Sequence, residues 1–334
     1  MIEVENLTKV YSSKSGIFER QSVRAVRGVS FHIPAGGAVS FIGESGCGKT
    51  TVGRILAGLE SASEGVIRIG GQDVSRVSSK ERQALFRTVQ LIHQDPYQAL
   101  NPARSVGQSL LDPLKVMAKT KRVGDSWIRD RANEVLTMVG LDPNSVIHKY
   151  PHMLSGGQRQ RIVIARALTV EPHVLVADEA VSMIDVSLRL GVLRLLRNLR
   201  EKLNIALLFI THDVAAARYV GQDGEVHVIY RGLILEKGET DDVIQHPQHP
   251  YTQALLSAVP VLKGLEIPGP DRYIPLKEME TREDVETGCL FVSRCPFARD
   301  ICREKSPLLT GEGHEMACHF AQVRNVVAMP VVAD

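Results

Sequence analysis

No apolar run in these 334 residues comes near the roughly twenty that a membrane-spanning helix needs; the longest, such as ALLFI (206–210), stop far short. The first residues set Glu3, Glu5 and Lys9 in a strand-like pattern that lacks the apolar core of a signal peptide. Net charge is almost missing as well. Lys+Arg 40 against Asp+Glu 38 leaves a formal +2, which argues against nucleic-acid binding by bulk charge. There is no internal repeat and no low-complexity run, and 44% hydrophobic with 23% charged residues is ordinary globular usage. The length suits two or three units. The expectation is a soluble, cytosolic chain that meets a membrane only through a partner.

Cysteine is scarce but unevenly spread. Cys47 stands alone, whereas Cys289, Cys295, Cys302 and Cys318 fall within thirty residues near the C-terminus. In a reducing compartment, clustered thiols point to a metal site before disulfides. Four thiolates suit either Zn²⁺ or a [4Fe–4S] cluster, and the paired C-x2-C spacing common in zinc sites is absent. His314 and His319 lie close enough in sequence to replace a ligand.

Alternating or short apolar runs predict strands at 2–10, 29–33, 38–42, 66–69, 89–92, 174–177 and 206–210, with short strands near 226–236. Helical spacing predicts helices over 49–59, 158–168 and 186–203. Residues 95–153 change character and read as a mostly helical insertion that ends at LSGGQ (154–158). From 245 onward Pro247, Pro250, Pro260, Pro268, Pro270 and Pro275 break any long element, as in an appended tail domain.

Four segments carry chemistry. GESGCGKT (Gly43 to Thr50) fits G-x-x-x-x-G-K-[ST] between an apolar strand and a helix. Gly46 and Gly48 let backbone N–H groups turn toward phosphate oxygens, Lys49 would neutralise the β- and γ-phosphates, and Thr50 would offer its hydroxyl to Mg²⁺. Cys47 supplies only backbone there. VLVADE (174–179) ends a buried strand in two acids, of which Asp178 would hold Mg²⁺ through water and Glu179 would polarise an attacking water. ALLFITHD (206–213) places His212 at the end of the next strand, beside Glu179, if the intervening helix makes the usual right-handed crossover. LSGGQRQR opens a helix with Ser155, Gly156 and Gly157, a second anion cradle that suggests a nucleotide held by a partner molecule.

Taken in order, these segments resemble the ATP-binding cassette (ABC) ATPases over nearly the whole chain. The resemblance implies an α/β fold: a RecA-like core with an N-terminal antiparallel β subdomain (1–94 and 166–244), a helical subdomain with the signature motif (95–165), and a C-terminal Cys-rich extension (245–334). It implies ATP contacts from Tyr11, stacked on adenine, and from Gly43, Glu44, Ser45, Gly46, Cys47, Gly48, Lys49, Thr50 and Thr51. Lys49, Gln94, Glu179 and His212 take catalytic roles, with Mg²⁺ held by Thr50, Gln94 and Asp178. Ser155, Gly156, Gly157 and Gln158 face the partner's ATP, and Asp185 is the D-loop acid.

QDPYQALNP, YPHMLSGGQRQR, HPYTQALLSAVP and the tail GC-x5-C-x6-C-x15-CH are similar to the oligopeptide/dipeptide importer branch, and the 158–161 run with Val181–Ser182 to its F-type subunit. This implies a [4Fe–4S] cluster on the four tail cysteines, with Zn²⁺ as the alternative. It also implies a second ATPase subunit, two permease subunits, an external solute-binding protein and a peripheral place on the cytoplasmic face of the inner membrane. Where the family usually has proline, this chain has Ala180, which frees φ between Glu179 and Asp185. The competing readings are a soluble ABC ATPase acting on DNA or ribosomes, and a non-hydrolysing regulatory cassette.

Overall fold

The structure, a computed structural model, describes residues 1–15, 19–258, 274–276, 287–324 and 326. The chain opens with a hairpin, β1 (Ile2–Ser15) and β2 (Glu19–Ile33), whose strands are much longer than the alternating stretches in the sequence. They pair antiparallel out to Ser15↔Glu19, and near its tip the hairpin has no apolar alternation that could have marked it. With β4 (Glu64–Ile69) and β5 (Gln72–Asp73) they form a four-stranded sheet in the order β2-β1-β4-β5.

The second sheet holds β3 (Ala38–Ile42), β6 (Val89–Ile92), β7 (Val174–Asp178), β8 (Ala206–Thr211), β9 (Glu225–Tyr230), β10 (Leu233–Glu239) and β11 (Glu315–Met316), in the order β11-β10-β9-β3-β8-β7-β6. From β9 to β6 the pairs are parallel. Every residue of β3, β7 and β8 is buried, as strands covered on both faces require. The β9–β10 hairpin turns through Arg231 (φ 46) and Gly232 (φ 80), two left-handed residues as a tight primed turn demands.

Helix α1 (Lys49–Leu56) follows β3 and packs Val52, Ile55 and Leu56 into the core between the two sheets, with Phe41, Val176 and Ile210. It ends before the predicted residue 59 because Gly58 takes φ +70. Helices α2 (Ser79–Arg87), α3 (Pro96–Ala99), α4 (Val106–Lys121), α5 (Asp125–Met138), α6 (Pro143–Val146), α7 (Gly156–Leu168) and α8 (Val186–Leu203) come next. Capping boxes start three of them: Ser78 with Glu81, Ser105 with Gln108, and Ser155 with Gln158. The helical insertion has no separate core. Leu110, Leu114, Val135 and Ile162 share one cluster with Ile92, Leu175, Leu207 and Phe209 of the sheet's other face.

Past α9 (Val214–Val220) comes α10 (Thr240–Gln245), and the tail contributes α11 (Pro250–Ser257) and α12 (Ile301–Glu304). Pro250 starts α11 at a position where its missing N–H has no cost. Pro260, Pro268 and Pro270 lie outside the described residues.

The tail is docked by two devices. Tyr251 of α11 and Phe291 pack on Tyr230 of β9 with ring centroids 4.8 and 5.3 Å away, each tail ring fully buried and contributing about 2 kcal/mol. Glu236 of β10, also fully buried, accepts the N–H groups of Gln248 (2.7 Å) and His249 (3.0 Å) and pairs with His314 Nε2 (2.7 Å). His314 Nδ1 reaches Asp242 at 2.8 Å. Among the described residues no helix is long and apolar enough to cross a membrane.

Burial would lower the His314 pKa, but the hydrogen bonds and charges of Glu236 and Asp242 outweigh it and hold the imidazole above its ordinary 6.5. A raised histidine stabilises fully below the unfolded value and loses that contribution as pH rises through the folded one. Urea unfolding midpoints should therefore fall between about pH 6.5 and mildly alkaline pH in the wild type, and His314→Gln should flatten that slope. Glu236→Ala, which strands three donors, should cost about 3 kcal/mol.

Candidate functional site

The parallel strands end level with one another. Ile42 pairs with Thr211, Ile210 with Asp178, and Ile92 with Ala177. The residues that follow, Gly43, His212, Glu179 and, two past Ile92, Gln94, thus leave the same edge of the sheet. Strands stand about 4.8 Å apart, so adjacent exits are within side-chain reach.

At the first exit the chain wraps from Gly43 to Thr50. Gly43 has φ 152, and a Cβ there would run into Ile229 O; Gly48 has φ 103, and a Cβ would strike Ala25 O. A side chain at either position is excluded by backbone on one side and by strain on the other. Gly46, by contrast, faces open space. Lys49 is buried, with Nζ donating to Gly43 O (2.7 Å) and Glu44 O (2.8 Å). Helix α1 has no side-chain cap at Gly48, which leaves its first N–H groups directed at the loop. Ser45 and Gly46 are exposed. Cys47 is buried in the core, and burial pushes its thiol up despite Lys49 beside it, in keeping with a backbone role.

Thr50 Oγ1 donates to Asp178 Oδ1 at 3.0 Å. Burial raises the Asp178 carboxyl, Thr50 pulls it back, and the neighbouring Glu179 charge adds to the rise. Thr50 Oγ1 and Asp178 Oδ1 are hard oxygen donors of the kind a divalent cation takes. Glu179 sits at φ 48, a left-handed conformation for a non-glycine residue, with its N–H held by Ile210 O at 2.9 Å. Its oxygens lie 3.2 Å from His212 Nδ1, and Gln94 Nε2 reaches one of them at 3.4 Å. Gln94, Glu179 and His212, distant in sequence, form one polar cluster.

The stretch after Glu179 is firmer than the lost proline suggests. Ala180 is buried, Ser182 donates to Glu179 O through N–H (3.0 Å) and hydroxyl (2.8 Å), and Arg189 holds the carbonyls of Ile184 and Ser182. Asp185 occupies the N-cap position of α8 without a side-chain capping bond and is exposed.

In the signature segment the Ser155 hydroxyl accepts Gln158 N–H at 3.2 Å, leaving its own proton free to donate. Gly156 faces open space, whereas a Cβ on Gly157 would press on Leu188. Tyr11 is 39% exposed, and its hydroxyl donates to Glu60 and lies within reach of Thr51 beside the phosphate loop.

The tail cysteines are not gathered to ligand distance as their spacing predicts. Among the described residues no three His, Cys, Asp or Glu side chains stand together in a metal site. All four cysteines nonetheless line one small, mainly apolar cavity. Burial first, and then the nearby Cys318, Cys295 and Cys302, push Cys289 up to about 11; burial likewise raises Cys318. The raised values at Cys289 and Cys318 favour the uncharged thiol there, yet four cysteines on one cavity match the chemistry of a thiolate-bound metal. His319 also lines this cavity, whereas His314 is committed to Glu236.

Two residues of the site escape sequence reasoning. Tyr251 Oη accepts Glu44 N–H at 2.9 Å, and Arg294 grips the Glu44 carboxylate at 2.7 and 2.9 Å. They lie 207 and 250 positions from Glu44, and no local pattern signals such a pairing.

The sequence model of the family described as "ABC transporter" matches residues 26–182, and that described as "Oligopeptide/dipeptide transporter, C-terminal region" matches residues 235–302. The chain is 39% identical over 326 residues to the di/tripeptide transport ATP-binding protein DppF of Pseudomonas aeruginosa, covering 96% of this chain and 98% of that one. It is 38% identical over 326 residues to the oligopeptide transport ATP-binding protein AppF of Bacillus subtilis, with 96% and 97% covered. Among solved structures, the dimeric ATP-binding cassette MJ0796 bound to ADP and Pi superposes with a TM-score of 0.62 at 28% identity, over 72% of this chain and 99% of that one. CbiO1 of Clostridium perfringens, part of an ABC transporter complex, gives 0.61 at 26% identity, over 72% and 89%.

Gly48→Ala should abolish measurable Mg·ATP binding in equilibrium titration, a loss of more than about a hundredfold, because the loop cannot close around a Cβ set against Ala25 O.

Proposed function

The chain belongs to the ATP-binding subunits of ABC transporters, in the branch that carries the oligopeptide/dipeptide C-terminal region, and from that premise we propose that it powers import of peptides or related solutes such as oligosaccharides and opines. It is an ATPase. The observation that carries the mechanism is the convergence of Thr50 with Asp178, and of Glu179 with His212 and Gln94, at one sheet edge.

In this mechanism the 43–50 loop and the start of α1 bind the phosphates through backbone N–H groups, and Lys49 neutralises the β- and γ-oxygens. The Tyr11 ring stacks on adenine, a reading supported by its partial exposure and by Thr51 beside its hydroxyl. Thr50, Asp178 and Gln94 would hold Mg²⁺, which would offset the phosphate charge. Glu179 orients the attacking water and accepts its proton, while Gln94 and His212 keep the carboxylate aimed. His212 also stabilises charge on the transferring phosphoryl group.

Ser155, Gly156, Gly157 and Gln158 complete the partner's site, and Asp185 lines the same junction. Closure of two ATPase chains excludes water and assembles both sites; hydrolysis reopens them. We divide the labour among a core (1–94 and 166–244) that binds ATP, a helical part (95–165) that presents the signature, and an extension (245–334). The assembly would comprise a second, different ATPase chain, two permease chains and an external binding protein, with this subunit peripheral on the cytoplasmic face. Cys289, Cys295, Cys302 and Cys318 would hold a [4Fe–4S] cluster, with Zn²⁺ as the alternative; their shared cavity supports this.

Glu179→Gln should retain ATP binding and lose turnover by about 10²–10⁴-fold in the assembled complex. Unchanged turnover there would remove Glu179 from its role and favour the regulatory cassette. Anaerobic affinity purification from gently solubilised membranes should recover two permeases and a second ATPase; ribosomes or DNA-repair proteins without a permease would overturn the importer. Iron and acid-labile sulfide should accompany that purified chain and vanish together in Cys289→Ser; zinc without sulfide would select the alternative.

A further inference from the structure

Three glycines at positive φ (Gly43, Gly46 and Gly48) make the phosphate loop soft in itself, so whatever stiffens it controls how well it receives a ligand. The stiffening converges on Glu44. Its N–H donates to Tyr251 Oη at 2.9 Å, its carboxylate takes Arg294 in a two-bond fork at 2.7 and 2.9 Å, and its carbonyl accepts Lys49 Nζ at 2.8 Å. The first two partners come from the C-terminal extension, and the third is the phosphate-binding lysine.

Neither tether is a passing surface contact. Tyr251 is fully buried, with Phe291 5.4 Å from its ring. The Arg294 side chain is 12% exposed, and its backbone N–H bonds Phe291 O at 3.1 Å. One buried aromatic thus seats both. A forked arginine–carboxylate pair fixes orientation as well as distance, which a single ion pair does not. Helix α11 also closes the flank, where Leu255 and Ala258 share a cavity of about 420 Å³ with Gly43 and His212.

We propose that Tyr251 and Arg294 are positioning residues for nucleotide binding: they lock Glu44, and through it Lys49, in the loop conformation that receives the phosphates. ATP affinity then depends on the extension staying docked. This rests on the nucleotide reading of the 43–50 loop. Glu179, Gln94 and His212 leave other strands and bond neither tether, so the effect falls on affinity and spares turnover at saturation.

The test is Mg·ATP titration of the full-length chain, with steady-state kinetics of the assembled complex, for Arg294→Ala, Arg294→Lys and Tyr251→Phe. Arg294→Ala should raise Kd and KM about tenfold, the loss of one charge-assisted interaction, with kcat within about twofold. Tyr251→Phe should raise both about threefold, and Arg294→Lys should recover little because an ammonium cannot make the fork. With Glu44→Gln in the background, Arg294→Ala should add almost nothing. Unchanged Kd in both Arg294→Ala and Tyr251→Phe would overturn the proposal, as would a loss confined to kcat. If Arg294→Ala proves unfolded by thermal melting, Tyr251→Phe, which removes one hydroxyl, decides alone. Lys49→Ala serves as the control: wild-type binding in that variant would overturn the nucleotide reading itself.

Discussion

Parallel register is the constraint on which the site depends. Hydrogen bonding locks Ile42 beside Thr211, Ile210 beside Asp178 and Ile92 beside Ala177, so four chain exits share one edge with no further adjustment. A one-residue slip of any strand would turn its side chains to the opposite face. Burial on both faces forbids that slip, because every residue of β3, β7 and β8 is packed. The precision of the polar cluster is therefore inherited from apolar packing behind it.

The site is also a place where local rules are broken. Glu179 holds a left-handed φ, Lys49 is a buried ammonium on two carbonyls, and Asp178 is a buried acid beside another acid. Each is unfavourable alone, and such departures cluster where a site is preorganised for a ligand. The turn after Glu179 compensates through Ser182 and Arg189, so rigidity there does not need a proline.

The extension is wired into the cassette at two depths. β11 continues the core sheet beside β10, and Glu236 ties down the start of α11 and His314 from inside the core. Above them, Tyr251 and Arg294 reach the phosphate loop. The cysteine-lined cavity includes Phe291 and Cys295, so it adjoins the same packing that seats the tethers.

Much of this was legible in one dimension. The phosphate loop, the acids after β7, the histidine after β8 and the order of strands and helices all follow from patterns spanning a dozen residues, where hydrophobic period and glycine placement act locally. The hairpin of β1 and β2 was only half visible, since its outer pairs are backbone bonds that leave no apolar alternation. The cysteine spacing signalled clustering but not how the thiols would be held. The clamp on Glu44, the Glu236–His314 staple and the contact of Gln94 with Glu179 depended on tertiary structure alone. They join residues from distant segments through side-chain geometry, and sequence carries no term for the distance between two positions until the sheet has closed between them.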